Sequence, residues 1–278
     1  MHKKRERGIM VGPEISVCIP VVSGKYLSEC LNSIFTNTFQ DFEVIVNDSS
    51  KDPKVSDILK MYDLKIIKKE TKSFESRYIT ALYSSGKKVF IFDETRLMSK
   101  DLLKKIMEIR KDMIVIKERD IGGGIVTFFS NLDKEAMPAD TSILDPYKNK
   151  TVIPRVYRRE IIMEALERIR GNLTEEILKN IVGLDIELIY LESYRISQSI
   201  GFIDTVEIMH YGDKGLRDTF RKYYRYGHSQ KMLRNTIYKE FAGLSGRNRA
   251  TLPLRNRIQS IPIQVMRGIP FVLGYISG

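Results

Sequence analysis

The sequence predicts an α/β fold in which a mostly parallel sheet is flanked by helices. Two observations carry this. Short β-branched apolar runs (ISVCIP from Ile15, FEVIV from Phe42, VFIF from Val89) each stop at a polar or proline-containing segment, the pattern of strands buried on both faces. Between them lie stretches with helical apolar spacing, and strand–helix alternation of this kind builds parallel sheets through crossover connections.

Ile15 to Pro20 forms the first strand, and Leu27, Cys30, Leu31, Ile34 and Phe35 give the helix after it. Phe42 to Val46 is the second strand, closed by Asn47-Asp48-Ser49-Ser50, with a helix over Val55 to Tyr62. Leu64 to Ile67 is a third strand and Ser76 to Ser85 a helix ended by Gly86. Val89 to Phe92 then runs into Asp93-Glu94-Thr95. Ser99 to Ile109 reads as a helix, Ile114 to Lys117 and Ile125 to Phe129 as strands around a triple glycine, and Asp133 to Asn149 as a long loop. Thr151 to Val156 is a short strand, Arg159 to Ile169 a helix, Glu175 to Ser193 a helical region broken near Gly183, and Ile203 to Met209 the last strand.

Charge divides the chain. Of the formal +11, residues 1–210 carry +1 and residues 211–278 carry +10. The expected organisation is a basic extension over 1–13, a nearly neutral domain over 14–210 and a basic amphipathic tail over 211–278. In the tail, Leu216, Phe220, Tyr223, Tyr224 and Gly227 keep mostly helical spacing, with Arg217, Arg221, Lys222 and Arg225 among them. Tyrosines beside cations suit a helix lying at an anionic membrane surface, so these four cations with Tyr223 and Tyr224 are the expected lipid contacts. Ile261 to Ile276 is interrupted by Gln264, Arg267, Gly268 and Pro270. It is therefore expected to form short interfacial helices rather than the roughly 20-residue apolar span a crossing helix needs. The tail carries no nucleic-acid-binding motif, so nucleic acid is not an expected partner, whereas pairing with the tail of a second copy is compatible with its amphipathicity. Cys18 and Cys30 are too few for a disulfide scaffold and lack metal-ligand spacing, and no secretory leader pattern opens the sequence. The expected setting is the cytoplasm, peripherally at the inner face of the cell membrane.

Sheets of this type bind ligands beyond the carboxyl ends of their strands, which is where Asp48 and Asp93 fall. Asp93 and Glu94, adjacent after a buried strand, are oxygen donors of the kind Mg²⁺ or Mn²⁺ prefers, or else merely a polar strand end. Asp48 can accept from a nucleobase, and Arg77 can pair with phosphate or lock the loop. Asp185 and Glu187 open a helix, where the dipole favours acids. His210 ends a strand, as a metal or diphosphate ligand or as a structural residue. Arg155 and Arg158 flank a strand-to-helix turn, where they can meet an anionic acceptor or water.

Together these positions resemble the family 2 glycosyltransferases of GT-A, Rossmann-like fold over roughly residues 14–210. The resemblance rests on SVCIPVVSGKYLSECLNSIFTNTFQDFEVIVNDSS, on Arg77 within ESRYITALYSSGKKVFIFDET, and on Gly183-Leu184-Asp185-Ile186-Glu187-Leu188. It implies a nucleoside diphosphate sugar as donor, held by Pro20, Val22, Asp48, Arg77 and Asp93. It also implies a divalent cation at Asp93, Glu94 and His210, and Asp185 as general base of an inverting transfer. Arg155, Arg158 and Glu187 are implied near the acceptor, itself lipid-linked or a glycan close to the membrane. The tail segments KYYRYG and RGIPFVLGYISG resemble those of membrane-associated members. In the family's Asp-any-Asp motif only Asp93 and Glu94 are acidic here, and Asn47, Thr95 and Leu184 stand where the family has other residues. A degenerate fold serving as a membrane-associated binding or scaffold module is the alternative.

Overall fold

In the computed structural model, residues 12–135, 144–147, 152–243 and 254–278 are described. Residues 1–11 of the basic extension, most of the expected loop over 133–149, the first residue of the expected strand from Thr151 and residues 244–253 of the tail lie outside them.

The strands are β1 (Ile15–Val21), β2 (Phe42–Asp48), β3 (Lys65–Lys68), β4 (Lys88–Ile91), β5 (Arg96–Met98), β6 (Met113–Ile121), β7 (Val156–Arg158) and β8 (Ile200–Tyr211). They form one sheet in the order β3-β2-β1-β4-β7-β6-β8-β5. The first four are mutually parallel, β7 runs antiparallel between β4 and β6, β6 and β8 are parallel, and β5 closes the edge antiparallel to β8.

Both faces of the central strands are apolar, and period-two alternation sorts them. Ile15, Val17, Ile19, Val44, Val46, Phe90 and Phe92 face one layer, made by α1 (Leu27–Phe35), α2 (Pro53–Leu59) and α4 (Leu102–Glu108). Cys18, Ile45, Val89 and Ile91 face the other. That layer contains α3 (Ser73–Leu82), α6 (Arg159–Asn172), the short α7 (Glu175–Asn180) and α8 (Asp185–Ile196). Leu233, Tyr238, Phe241 and Ala242, from the basic segment, pack in this same layer. Residues beyond 210 thus contribute to the main core.

Three local expectations are corrected. Ile125 to Phe129 is no strand but the start of α5 (Ile125–Glu135), which buries Val126, Thr127, Ser130 and Asp133 at helical spacing while Ile125 and Phe128 stay exposed. A short apolar run does not by itself distinguish strand from helix, and the place beside β6 is taken by β8. The strand expected over 151–156 is displaced to β7, which begins where that expectation ends, at Val156. The apolar end of the tail is one continuous helix, α11 (Leu254–Ser277), which contains Pro262 and Pro270.

The tail opens with α9 (Leu216–Met232), followed by a 3-10 turn and α10 (Lys239–Gly243). Helices α9 and α11 cross at two glycines. A Cβ on Gly227 would lie 1.9 Å from the Phe271 carbonyl oxygen, and one on Gly274 would lie 1.9 Å from that of Tyr224, so backbone meets backbone. Gly183, just before α8, has φ +81° and no room for a side chain because the Tyr226 ring of α9 lies against it.

Candidate functional site

The loop after β1 is fixed by one carboxylate. Glu94, immediately beyond β4, accepts from the backbone N–H of Ser23 at 3.0 Å and of Gly24 at 2.7 Å, from the Ser23 hydroxyl at 3.0 Å, and more weakly from Val22 N–H at 3.4 Å. Glu94 is buried, and its two oxygens are committed to shaping the turn from which Val22 projects into solvent. Pro20 sits in β1 just before this turn.

Asp48 ends β2, two positions beyond the expected end at Val46, so it is a strand residue rather than part of the polar stop. Its Oδ1 accepts from the Ser50 backbone N–H at 2.9 Å and the Ser50 hydroxyl at 2.6 Å, and its Oδ2 from Lys68 at 2.5 Å. Burial alone would raise its pKa, but Lys68 and Ser50 together lower it, so the group is a carboxylate. Asn47 donates to Thr71 at 2.7 Å and to Ser76 at 3.0 Å, tying the end of β2 to the approach to α3.

The centre of the site is Arg77, in the second turn of α3 and buried. Its Nε donates to Asp185 Oδ2 at 2.8 Å and its Nη2 to Asp93 Oδ1 at 2.8 Å, so one guanidinium bridges two carboxylates that are distant in sequence. Ser73, one turn earlier on the helix, donates to Asp185 Oδ2 at 2.8 Å. The other oxygen of Asp93 accepts from Arg96, with Arg155 at 3.9 Å. Arg155 also donates to Glu118 at 2.7 Å, and Arg96 approaches Glu118 at 3.4 Å. Burial would push the Asp93 pKa up, but Arg77, Arg96 and Arg155 hold it well below the usual carboxylate range. Glu118 is held low in the same way by Arg155 and Arg96. Burial would weaken the protonation of Arg77, yet Asp93 and Asp185 raise its pKa further. Among the described residues, Arg77 Nη1 and Arg155 Nη1 are buried N–H groups without a hydrogen-bond acceptor.

Of the residues expected from sequence, Arg77, Asp93, Asp185 and Arg155 therefore meet in one network. Arg158 does not join them. It lies exposed at the end of β7, beside Asp112 at 3.2 Å. Glu187 sits half-buried two residues along α8. His210 is drawn to Asp120, its Nδ1 2.8 Å from Oδ1. Asp120 also accepts from Lys134 at 2.6 Å. Burial and the neighbouring Arg96 lower the imidazole pKa to about 4, against the opposing pull of Asp120.

The residues present do not fit the implied divalent cation. Asp93 has both oxygens on arginines, Glu94 has both on the turn after β1, His210 faces Asp120, and Thr95 and Arg96 follow where further acids would be needed. No cluster of three or more His, Cys, Asp or Glu side chains suited to a metal occurs among the described residues. Positive charge beside Asp93 comes from guanidinium groups.

Arg96, Glu118, Asp120 and Lys134 were missed by reading the sequence. A signal existed for two of them: Glu118 and Asp120 alternate within β6 after a buried apolar run, which puts both on one face of the strand.

The basic positions expected at lipid also separate. Arg217, Arg221, Tyr224 and Arg225 are exposed on α9, whereas Lys222 bonds Asp213 at 3.1 Å and Tyr223 packs edge-on to Tyr226 and under Arg267.

Residues 16–112 match the model of glycosyl transferase family 2. Among solved structures, S. aureus TarS superposes with TM-score 0.55 at 19% identity over 88% of this chain, and the chain spans only 47% of that TarS chain. S. aureus TarS 1–349 in complex with UDP-GlcNAc gives TM-score 0.56 at 18% identity over 94% of this chain and 83% of that one. The complex with UDP gives 0.54 at 18% over 94% and 89%. No curated protein matches the sequence significantly. In class, the chain has the GT-A fold of the glycosyltransferase structures it superposes on. Its similarity to glycosyl transferase family 2 runs from Ser16 in β1 to Asp112, just before β6.

Proposed function

We propose that this chain transfers a sugar from a nucleoside diphosphate sugar to an acceptor hydroxyl in a single displacement with inversion at the anomeric carbon. The observation that carries the reading is the Arg77 bridge. It joins the strand-end Asp93 to Asp185 at the start of α8, where a donor diphosphate and an acceptor hydroxyl would need to meet.

Asp48 and the turn held by Glu94 would receive the nucleoside. A departing diphosphate requires positive charge, and Arg77 and Arg155 each keep a buried N–H in reserve for its oxygens. Asp185 would take the acceptor proton as the new C1–O bond forms and the C1–O bond to diphosphate breaks, with Ser73 and Arg77 setting the direction of its carboxylate. The complexes of S. aureus TarS with UDP and UDP-GlcNAc make a uridine diphosphate sugar the first donor to test. The acceptor proposed is lipid-linked or a glycan near a membrane.

Calorimetric titration of nucleoside diphosphates and their sugars, with Mn²⁺ and with chelator, tests the donor site. One diphosphate should bind, and equally well with chelator, because arginines occupy the place of the cation. The same heats should shrink in an Arg155→Met variant. Absence of binding across the panel would replace this reading with the scaffold alternative, which the sealing of Asp93 between arginines favours.

A further inference from the structure

Helix α11 has two apolar sides, and only one of them is used. Its inward side buries Ser260, Ile263, Pro270 and Gly274 at helical spacing. The glycine crossing with α9 and Arg267 fix the orientation of that side, since Arg267 donates to Ser130 of α5 at 2.8 Å and covers the Tyr223 ring at 5.4 Å. At 100° per residue, a second series runs along the opposite side. It begins at Leu254 and recurs at steps of four, three, four, four, three and four to Ile276, through Ile261, Val265 and Ile269. Every one of these positions is more than half exposed. With the inward side already packed, the stripe faces away from the protein along 24 residues, about 36 Å of helix.

We infer that this outward stripe is a docking face for an anionic lipid surface, against which α11 lies flat. Three features argue for lipid as the occupant. Residues 254–278 contain no acidic side chain, and exposed Arg255 and Arg257 flank the stripe at its first turn, one on each side. The segment beyond residue 210 carries +10, so a second copy seated on the same face would bring two such charges together, whereas anionic headgroups neutralise them. Arg267, with Gly268 and two prolines, leaves no helix among the described residues long and apolar enough to cross a membrane. A helix with an apolar stripe, flanking cations and no such span settles at the headgroup boundary, its cations among the phosphates. The lipid contact is therefore assigned to α11 rather than to the half-buried Lys222 and Tyr223 of α9. It does not depend on the catalytic reading, because it uses no residue of the site.

The test is co-sedimentation of the full chain with vesicles of phosphatidylcholine containing roughly 30% phosphatidylglycerol, compared with pure phosphatidylcholine. The chain should pellet with the anionic vesicles, less so as salt is raised. An Ile261→Asp/Val265→Asp variant should bind at least about tenfold more weakly, because it places two carboxylates where side chains must enter the lipid boundary. Both positions lie on the outward side, so the variant should keep the wild-type melting temperature. Ile261→Ser/Val265→Ser provides a milder version should it not. The inference is overturned if the wild type ignores anionic vesicles, or if the substitutions leave binding unchanged. It is equally overturned if the stripe instead holds the chain in a dimer that the same variants convert to monomer without any lipid binding.

Discussion

Arg77→Met isolates the bridge at the heart of the site. Methionine keeps most of the apolar volume of the stem but removes both hydrogen bonds, to Asp185 and to Asp93, each 2.8 Å long. Charge-assisted bonds of this kind are worth about 1.5–3 kcal/mol each. The two halves are unequal, however. Asp93 keeps Arg96 and Arg155, so its share of the loss is the smaller. Asp185 is only 1% exposed and would be left with the Ser73 hydroxyl and the helix dipole. An uncompensated buried carboxylate puts the expected loss at about 3–4 kcal/mol, within the usual range for removing one partner of a buried pair. Urea denaturation followed by circular dichroism and tyrosine fluorescence measures it. A cycle with Asp185→Asn completes the experiment. The double variant has no stranded charge, so it should be destabilised by at least about 2 kcal/mol less than the sum of the single ones. A loss below about 1 kcal/mol for Arg77→Met, or additive single variants, would show that the two carboxylates do not depend on this guanidinium.

Two further outcomes follow from packing and protonation. Gly227→Ala should lower the melting temperature and expose α11 to protease, since its Cβ would lie 1.9 Å from a carbonyl oxygen of Phe271; a variant as stable and as resistant as wild type would show that the crossing can open without cost. His210 is neutral in the folded chain down to about pH 4, whereas an unfolded imidazole binds its proton near 6.5. Because the unfolded chain then holds the extra proton, stability should fall by up to about 3 kcal/mol as pH drops from 6.5 toward 4. His210→Gln should flatten that slope in denaturation curves recorded across this window, and an unchanged slope would assign it to other groups.

The strands at the centre of the sheet were legible because both their faces are buried. ISVCIP, FEVIV and VFIF leave no polar face to misread, and each stops where the chain leaves the core. β5 was not legible, for Arg96–Met98 is three residues long and exists only by pairing with β8, more than a hundred positions away. The same distance hid half of the site. Arg77, Asp93 and Asp185 could be picked out by spacing and by resemblance to a family. That Arg96, His210 and Asp120 form a row across β5, β8 and β6 depends on strand register, which no local pattern states. The tail was read correctly as basic and amphipathic. Its core contribution through Leu233 to Ala242 escaped notice because those apolar residues are embedded among cations.

The contact between Gly183 and the Tyr226 ring ties two parts of the molecule that differ sharply in charge. Around it, Ser229 of α9 accepts from Val182 N–H at 3.0 Å and donates to the Asn180 carbonyl at 3.1 Å. The segment that introduces Asp185 is thus clamped by the same helix that carries α11 on its other side. A displacement of the α9–α11 pair has a mechanical route to the carboxylate, through two hydrogen bonds and one aromatic ring, without passing through the sheet.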